Sequence, residues 1–170
     1  MASELGVQTI QHTNGTDALT VASDGSVEAQ GKLTMHGLDH VPAFFARVSN
    51  DTAIAANTNP IIFNETEANV GSHYSTTTGK FTAPVAGTYM FIVKGHEQTQ
   101  DNVGRSTFIR VNNTKTFYGY SLSSSTGRAT IVVNAIITLA KDDEITVSLE
   151  DGDSWGGNDA GLNFMGYLIG

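Results

Sequence analysis

The sequence contains no cysteine, and only 9 of its 170 residues are lysine or arginine. Without cysteine, thiol catalysis, zinc ribbons and a disulfide framework are excluded. The 17 acidic residues bring the net charge to −8, which argues against nucleic-acid binding because that function needs a basic surface. No apolar run approaches the roughly 18 residues of a transmembrane helix, so we predict no membrane insertion.

The sequence also lacks a secretion signal at its start and contains few charged residues overall. Residues 1–5 lack the basic and apolar segments of a secretion signal, so we expect synthesis in a cytoplasm. Charged residues make up 15% of the chain, and threonine, serine, asparagine and 18 glycines take their place. Because threonine favours strands while glycine and asparagine favour turns, this composition predicts a β-rich protein.

The hydrophobic pattern agrees with this composition. Helical periodicity is nearly absent, and short alternating runs are separated by glycine, asparagine, aspartate and serine, as in a β-sandwich or jelly roll. We predict that residues 41–170 form one sandwich head, since a chain of this length can bury a sufficient core. Its nine predicted strands lie at about 43–48, 60–63, 79–83, 87–97, 105–111, 115–121, 128–139, 144–150 and 162–169.

Residues 1–40 differ from the rest, because they are small and polar with short strand candidates at about 5–10, 18–21 and 26–29. Asn14-Gly15 and Asp24-Gly25 are the turns between them. A ribbon with so few large apolar side chains is marginal alone. We therefore predict an N-terminal arm and connector for attachment or oligomerisation, through the apolar side chains Leu5, Val7, Ile10, Leu19 and Val21.

Two of the predicted strands, 87–97 and 162–169, carry large apolar side chains on both faces. A sandwich strand normally buries one face and exposes the other. The second face must therefore be covered, either by another subunit or by the arm. We favour another subunit, and the residues predicted at that interface are Met90, Ile92, Met165, Tyr167 and Ile169.

Aromatic residues, an asparagine and a glycine recur at fixed intervals between residues 63 and 91. The spacing resembles the C1q domain, which ends this motif on Gly-x-Tyr-x-Phe. The segment Phe164-x-Gly166-x-Leu168 is similar to the last strand of that family, and residues 43–47 to its first, so the resemblance covers about 43–170. The family core positions in this sequence are Phe63, Asn69, Tyr74, Phe81, Gly87, Tyr89, Phe91, Phe164, Gly166 and Leu168. One further aromatic of the motif is replaced here by Val93.

The resemblance implies an all-β jelly-roll sandwich of the C1q and tumour necrosis factor type, preceded here by the arm. It also implies a homotrimer with the last strand near the threefold axis, and a binding function in place of catalysis. Animal members carry a secretion signal and often a collagen stalk, whereas this sequence shows no Gly-x-y repeat.

The arm has a resemblance of its own. Residues 1–5, 14–21 and 23–27 look like the start of structural proteins of tailed bacteriophages. Together the two resemblances imply a non-enzymatic trimer on the virion surface, synthesised in the host bacterial cytoplasm and not secreted. We expect a capsid decoration, or cement, protein whose arm clamps the major capsid protein. The alternatives are a tail-fibre or knob head that recognises a host surface glycan, a C1q-like lectin or adhesion module, and an enzyme.

Candidate metal and ligand groups are few. Asp151 and Asp153 place two carboxylates in one loop, which suits calcium, and the alternative is a flexible acidic turn. We expect no other cofactor. Trp155 beside them is either an exposed aromatic side chain for a sugar or a partner, or a plug for the end of the sandwich, and we favour the plug.

Catalytic motifs are absent from the sequence. His36 and His40 lie close together, but Gly37 and Pro42 exclude the helix that would bring them to one metal, so we interpret this segment as a connector. Neither a Gly-x-Ser-x-Gly elbow nor a phosphate-binding loop occurs, and we predict no catalytic residue.

Overall fold

The computed structural model describes residues 9–11, 15, 17–29, 40–49, 53–96, 103–122, 124, 129–150, 155–156 and 161–170. Within these ranges the regular elements are antiparallel β-strands. The chain divides into two compact units, 1–40 and 41–170. The strands are β1 (Thr9–Gln11), β2 (Asp17–Val21), β3 (Val27–Ala29), β4 (Ala43–Arg47), β5 (Ala53–Ile54), β6 (Glu65–Val70), β7 (Tyr74–Ser75), β8 (Lys80–Thr82), β9 (Gly87–His96), β10 (Gly104–Val111), β11 (Thr114–Leu122), β12 (Thr130–Leu139), β13 (Glu144–Glu150), β14 (Trp155–Gly156) and β15 (Asn163–Leu168).

The first unit contains one small sheet in the order β1-β2-β3. Between β2 and β3, Asp24 accepts hydrogen bonds from the backbone and the hydroxyl of Ser26, and Gly25 adopts a φ of 87°. This turn was predicted from the sequence and is confirmed. Among the predicted arm residues, Ile10 and Val21 are exposed, Leu19 is half-buried, and Leu5 and Val7 lie outside the described residues.

The second unit is a sandwich of two five-stranded sheets, in the orders β12-β9-β15-β4-β6 and β11-β10-β13-β8-β7. A short pair, β14-β5, accompanies them. Strands that are neighbours in a sheet are mostly distant in sequence, as in a jelly roll. The predicted all-β jelly roll is therefore confirmed.

Strict alternation explains how each sheet contributes to the core. In β12 every second residue is buried, from Ile131 to Leu139, and the residues between them are exposed. β13 places Ile145, Val147 and Leu149 in the same core from the opposite sheet. The two apolar faces pack against each other, as expected for a sandwich.

Asn112 and Asn113 form the turn between β10 and β11, with φ values of 48° and 65°. Asparagine tolerates this left-handed conformation better than most residues, and two such residues in succession match a two-residue hairpin. The turn predicted at this position is confirmed.

The strand predicted at 60–63 is wrong. This segment is irregular, although Ile61 donates its N–H to the carbonyl of Val147 at 2.7 Å. Its alternating burial, with Ile61 and Phe63 inside, imitates a strand, while Pro60 has no N–H to donate to a ladder. The strand that follows, β6, is not predicted from the sequence because its run of acidic and small residues lacks a strand pattern.

Candidate functional site

The outward side of the sheet β12-β9-β15-β4-β6, here called the apolar face, carries side chains in rows that cross all five strands. Residues directly opposite each other in antiparallel strands share one face, so the register defines these rows. The first row is Ile136, Met90, Tyr167, Ala43 and Val70. The second row is Asn134, Ile92, Met165, Phe45 and Ala68.

Several large side chains of the apolar face meet solvent in the single chain. The exposed fraction is 63% for Ile136, 57% for Val132 and 47% for Tyr167. Large exposed apolar side chains that adjoin one another mark a contact surface in a soluble protein.

A third row of the apolar face is polar apart from Val132. It consists of Val132, Lys94, Asn163, Arg47 and Glu65. Arg47 forms ion pairs with Glu65 at 2.6 Å and with Glu67 at 2.9 Å, both on the edge strand β6. Asn163 is only 8% exposed, although it lies on this outward side. The apolar surface therefore ends at a charged edge.

The structure brings the predicted interface residues together. Met90, Ile92, Met165 and Tyr167 occupy neighbouring positions in the first two rows of the apolar face. Ile169 follows the end of β15, is 53% exposed, and donates its N–H to Thr88 at 2.7 Å. Their role in assembly stays a prediction.

Sequence reasoning missed the contribution of β12. Its exposed positions include Val132 and Ile136, and the pairing Ile136–Met90 places them beside the predicted residues. These two positions could have been identified from the sequence, because they are apolar in a strand whose other face is also apolar.

The family core positions pack around Phe44. Its ring centroid lies 4.9 Å from those of both Tyr74 and Phe164, and 5.2 Å from that of Phe81. Stacked and edge-on contacts of this kind add to the free energy of burial. The remaining buried core positions of the motif are Phe63, Tyr89, Phe91 and Leu168.

Two polar groups of the motif have structural partners. Asn69 mimics a strand partner: its amide donates to the carbonyl of Tyr74 at 2.8 Å and accepts from the N–H of Tyr74 at 3.1 Å. The Tyr74 hydroxyl contacts the N–H and carbonyl of Phe63, each at 3.3 Å. Burial raises the pKa of Tyr74 well above its usual range, and burial also raises the pKa of Tyr89, so both phenols stay neutral. These groups therefore hold the core together.

Other predicted candidates are not brought together in the described residues. Asp151 and Asp153 lie outside them, as does His36, while His40 is exposed. Trp155 pairs with Ile54 through the backbone, and its side chain is not described. Within the described ranges, no three His, Asp or Glu side chains are placed to share a metal ion. The same ranges contain no helix long and apolar enough to cross a bilayer.

The sequence pattern of the C1q domain matches residues 43–169. The chain belongs to the C1q domain family. The C1q domain therefore includes both five-stranded sheets and the apolar face. The predicted resemblance is confirmed for this part of the chain.

Relatives and solved structures agree with this membership. The C1q domain is 29% identical over 129 residues to complement C1q tumor necrosis factor-related protein 3 of Mus musculus and of Homo sapiens. The match covers 75% of this chain and 50% of each relative, so the chain spans about half the length of these proteins.

Two solved structures share the fold. The globular domain of zebrafish complement 1qA protein aligns with a TM-score of 0.56 and 22% identity, over 77% of this chain and 98% of that chain. The Eiger TNF from S. frugiperda aligns with a TM-score of 0.64 and 14% identity, over 76% and 93%. At these identities the comparison concerns the fold alone. All of these named relatives are animal proteins.

Proposed function

We propose that this C1q-family chain is a non-enzymatic binding head that assembles as a homotrimer through its apolar face. The observation that carries this proposal is the pair of rows that cross all five strands of one sheet. C1q and TNF domains self-associate into trimers, which supports the same assembly here. The sheet β11-β10-β13-β8-β7 is then turned outward and is free to bind.

The chemistry of the apolar face favours a closed assembly. Its first two rows contain the large side chains Ile136, Met90, Tyr167, Ile92 and Met165, with the amide of Asn134 beside them. In a cyclic trimer, each chain contacts its two neighbours through two different patches. The threefold rotation repeats this contact, so that the apolar faces of all three copies are covered. The contact between subunits then ends at the charged edge formed by Arg47 and Glu65.

The test compares two exposed tyrosines on opposite sheets. Tyr167→Asp places a charge in the apolar face, whereas Tyr118→Asp changes a side chain that is 68% exposed on β11. In sedimentation equilibrium we expect the unmodified chain and Tyr118→Asp to have three times the molecular mass of one chain, which is 18.0 kDa. We expect Tyr167→Asp to have the mass of a single chain.

A trimer that persists in Tyr167→Asp would overturn the proposed interface, and a monomeric unmodified chain would overturn the assembly. Circular dichroism and thermal unfolding of both variants exclude loss of fold as the cause.

A virion role is the more specific candidate. It is supported by the resemblance of the first residues to phage structural proteins and by the separate unit formed by residues 1–40. That unit exposes Ile10, Val21 and Val27, which suit docking to another protein such as the major capsid protein. The named relatives are animal proteins and lend this role no support. In this hypothesis the protein is localised on the virion surface as a cement protein.

Copy number separates the specific roles. Quantitative mass spectrometry of purified particles would find copies in proportion to the capsid subunits for a cement protein, and only a few trimers for a tail-fibre or knob head. Absence of the protein from particles would overturn both virion roles and favour a lectin or adhesion module.

A further inference from the structure

The outward side of the second sheet has a cavity of about 290 Å³, here called the Thr146 cavity, and most of the residues that line it are polar. It lies between β8, β13, the β10–β11 turn and the segment before β6. This volume is at the lower end of those that bind small molecules. The lining residues are Asn59, Pro60, Lys80, Asn113, Glu144 and Thr146.

Thr146 is one of the residues that line this cavity. Its residue is 7% exposed, and its Oγ1 is buried with no hydrogen-bond partner among the described residues. Thr146 belongs to the outward side of β13, because the residues on either side of it, Ile145 and Val147, enter the core. A buried hydroxyl without a partner is unfavourable and is usually satisfied by a ligand, an ion or water.

Two amides at the rim are held in place. The Asn59 amide donates to Oδ1 of Asn113 at 3.3 Å. Arg110 donates to the backbone carbonyl of Asn113 at 3.0 Å and to the hydroxyl of Ser148 at 2.8 Å, and also pairs with Glu150. The rim is therefore built before any ligand arrives, which lowers the entropic cost of binding.

The segment that carries Asn59 is fixed along β13. Leu149 donates its N–H to the carbonyl of Thr58 at 2.9 Å, and Ile61 donates to Val147 at 2.7 Å. Asn59 and Pro60 lie between these two hydrogen bonds. The wall of the cavity formed by these two residues is therefore attached to the same strand as Thr146.

The charges in the cavity are balanced. Lys80 Nζ lies 2.8 Å from Glu144 Oε2, and this ion pair lines both the Thr146 cavity and a neighbouring cavity of about 480 Å³. Because Lys80 and Arg110 are each paired with a glutamate, a phosphate or carboxylate would compete with an existing partner. A calcium ion would need more carboxylates than Glu144 alone provides.

We propose that the Thr146 cavity binds one neutral sugar unit, at the end of a glycan or free. Each hydroxyl of a sugar both donates and accepts hydrogen bonds, and the residues that line the cavity carry amides, an ammonium, a carboxylate and a hydroxyl. The hydroxyl of Thr146 gains its missing partner, and Pro60 supplies an apolar surface for the ring.

This inference does not depend on trimer assembly. All lining residues belong to one chain, and they lie on the sheet opposite to the one that carries the apolar face. Loss of sugar binding with an intact trimer, or a monomer that still binds sugar, would separate the two proposals.

The experiment titrates the full chain with methyl glycosides of galactose, glucose, mannose and N-acetylglucosamine. Changes in the amide NMR shifts of the protein report binding. An array of neutral and sialylated glycans tests whether the sugar unit is also bound at the end of a glycan. We expect at least one neutral glycoside to bind and to shift the amides of Asn59, Asn113, Glu144 and Thr146.

The variants test the site itself. Thr146→Val removes the hydroxyl at nearly constant volume, and Asn113→Gly removes the amide while keeping a residue that accepts the positive φ. We expect each to weaken the apparent affinity about tenfold. The matched control is Thr107→Val, because the Thr107 hydroxyl is also buried and unpartnered but its neighbour on the same side of β10 is the core residue Ile109.

The proposal is overturned if no neutral glycoside and no neutral glycan binds, or if only sialylated glycans bind. It is also overturned if Thr146→Val and Asn113→Gly bind as the unmodified chain does, or if Thr107→Val weakens binding equally. Binding of array glycans without any of the methyl glycosides would contradict a site for one sugar unit. Equal binding of a free glycoside and a glycan that ends in it supports the proposal.

Discussion

Gly166 of β15 lies directly opposite Phe91 of β9, and a Cβ at Gly166 would stand 2.5 Å from Cδ1 of the Phe91 ring. The same Cβ would stand 2.8 Å from Cε1 of Phe44. Both rings are buried in the aromatic cluster and cannot move aside freely. Glycine at this position is therefore required by the packing of the two rings on the neighbouring strands of the same sheet.

Gly166→Ala should destabilise the domain. The added methyl group has to displace two buried rings, and overpacking of this kind costs about 1–3 kcal/mol in the free energy of unfolding. Urea unfolding measures the change. Gly170→Ala is the control, because a Cβ at Gly170 meets nothing within 4 Å, and its effect should stay within about 0.5 kcal/mol. Equal stability of the two variants would contradict the packing argument.

Thr107→Val should stabilise the domain. Thr107 is completely buried beside Ile109, and its hydroxyl has no hydrogen-bond partner among the described residues. Removing an unsatisfied hydroxyl while keeping the shape should raise the free energy of unfolding by about 1–2 kcal/mol. Thermal unfolding of this variant and of Thr116→Val, at an exposed position of β11, provides the comparison. A loss of stability in Thr107→Val would show that the hydroxyl has a partner.

The sequence predicted the sandwich because its strands alternate and the aromatic residues of its motif meet in one core. Tyr74 and Phe81, for example, come from two short strands yet pack on Phe44. The prediction failed at 60–63, because burial alternates there without strand pairing, and at β6, because an edge strand needs few apolar residues.

The candidate sites were predictable to different extents. Apolar residues on both faces of 87–97 and 162–169 indicated a contact surface, although the alignment of its rows depends on register. The Thr146 cavity could not be predicted, because Asn59, Lys80 and Thr146 are far apart in sequence and meet only through the pairing of β13 with its neighbours.

Ile136→Lys should weaken the proposed trimer. Ile136 lies next to Met90 in the first row of the apolar face, so the substitution brings an ammonium into a desolvated contact. Leu122→Lys is a matched control, since Leu122 is 59% exposed on β11 against 63% for Ile136 on β12. In sedimentation velocity across a dilution series, Ile136→Lys should dissociate into monomers at higher protein concentrations than the unmodified chain does, and Leu122→Lys should not. Equal dissociation of the two variants would contradict the contribution of β12.

Asp143 connects two turns at one end of the C1q domain. Its Oδ1 accepts a hydrogen bond from the Asn112 amide at 2.8 Å, and its Oδ2 accepts one from the N–H of Ala140 at 2.8 Å. The Asn112 bond first, and the backbone bond second, hold the pKa of Asp143 below its ordinary value of 3.8. Because the pKa is lower in the folded chain, the ionised carboxylate stabilises the fold above pH 3.8, and this contribution is lost as the pH falls towards the folded value.

Asp143→Asn should therefore lower the melting temperature at neutral pH, and the difference from the unmodified chain should shrink as the pH falls from about 5 to 3. The asparagine has the shape of the carboxylate but not its charge, so it represents the carboxyl group after that charge is lost. In an Asn112→Gly background, which keeps the positive φ of this turn, most of the pH dependence of the Asp143→Asn effect should disappear. A difference in melting temperature that stays constant across this pH range, or that survives unchanged in the Asn112→Gly background, would show that the connection between the two turns does not depend on the charge of Asp143.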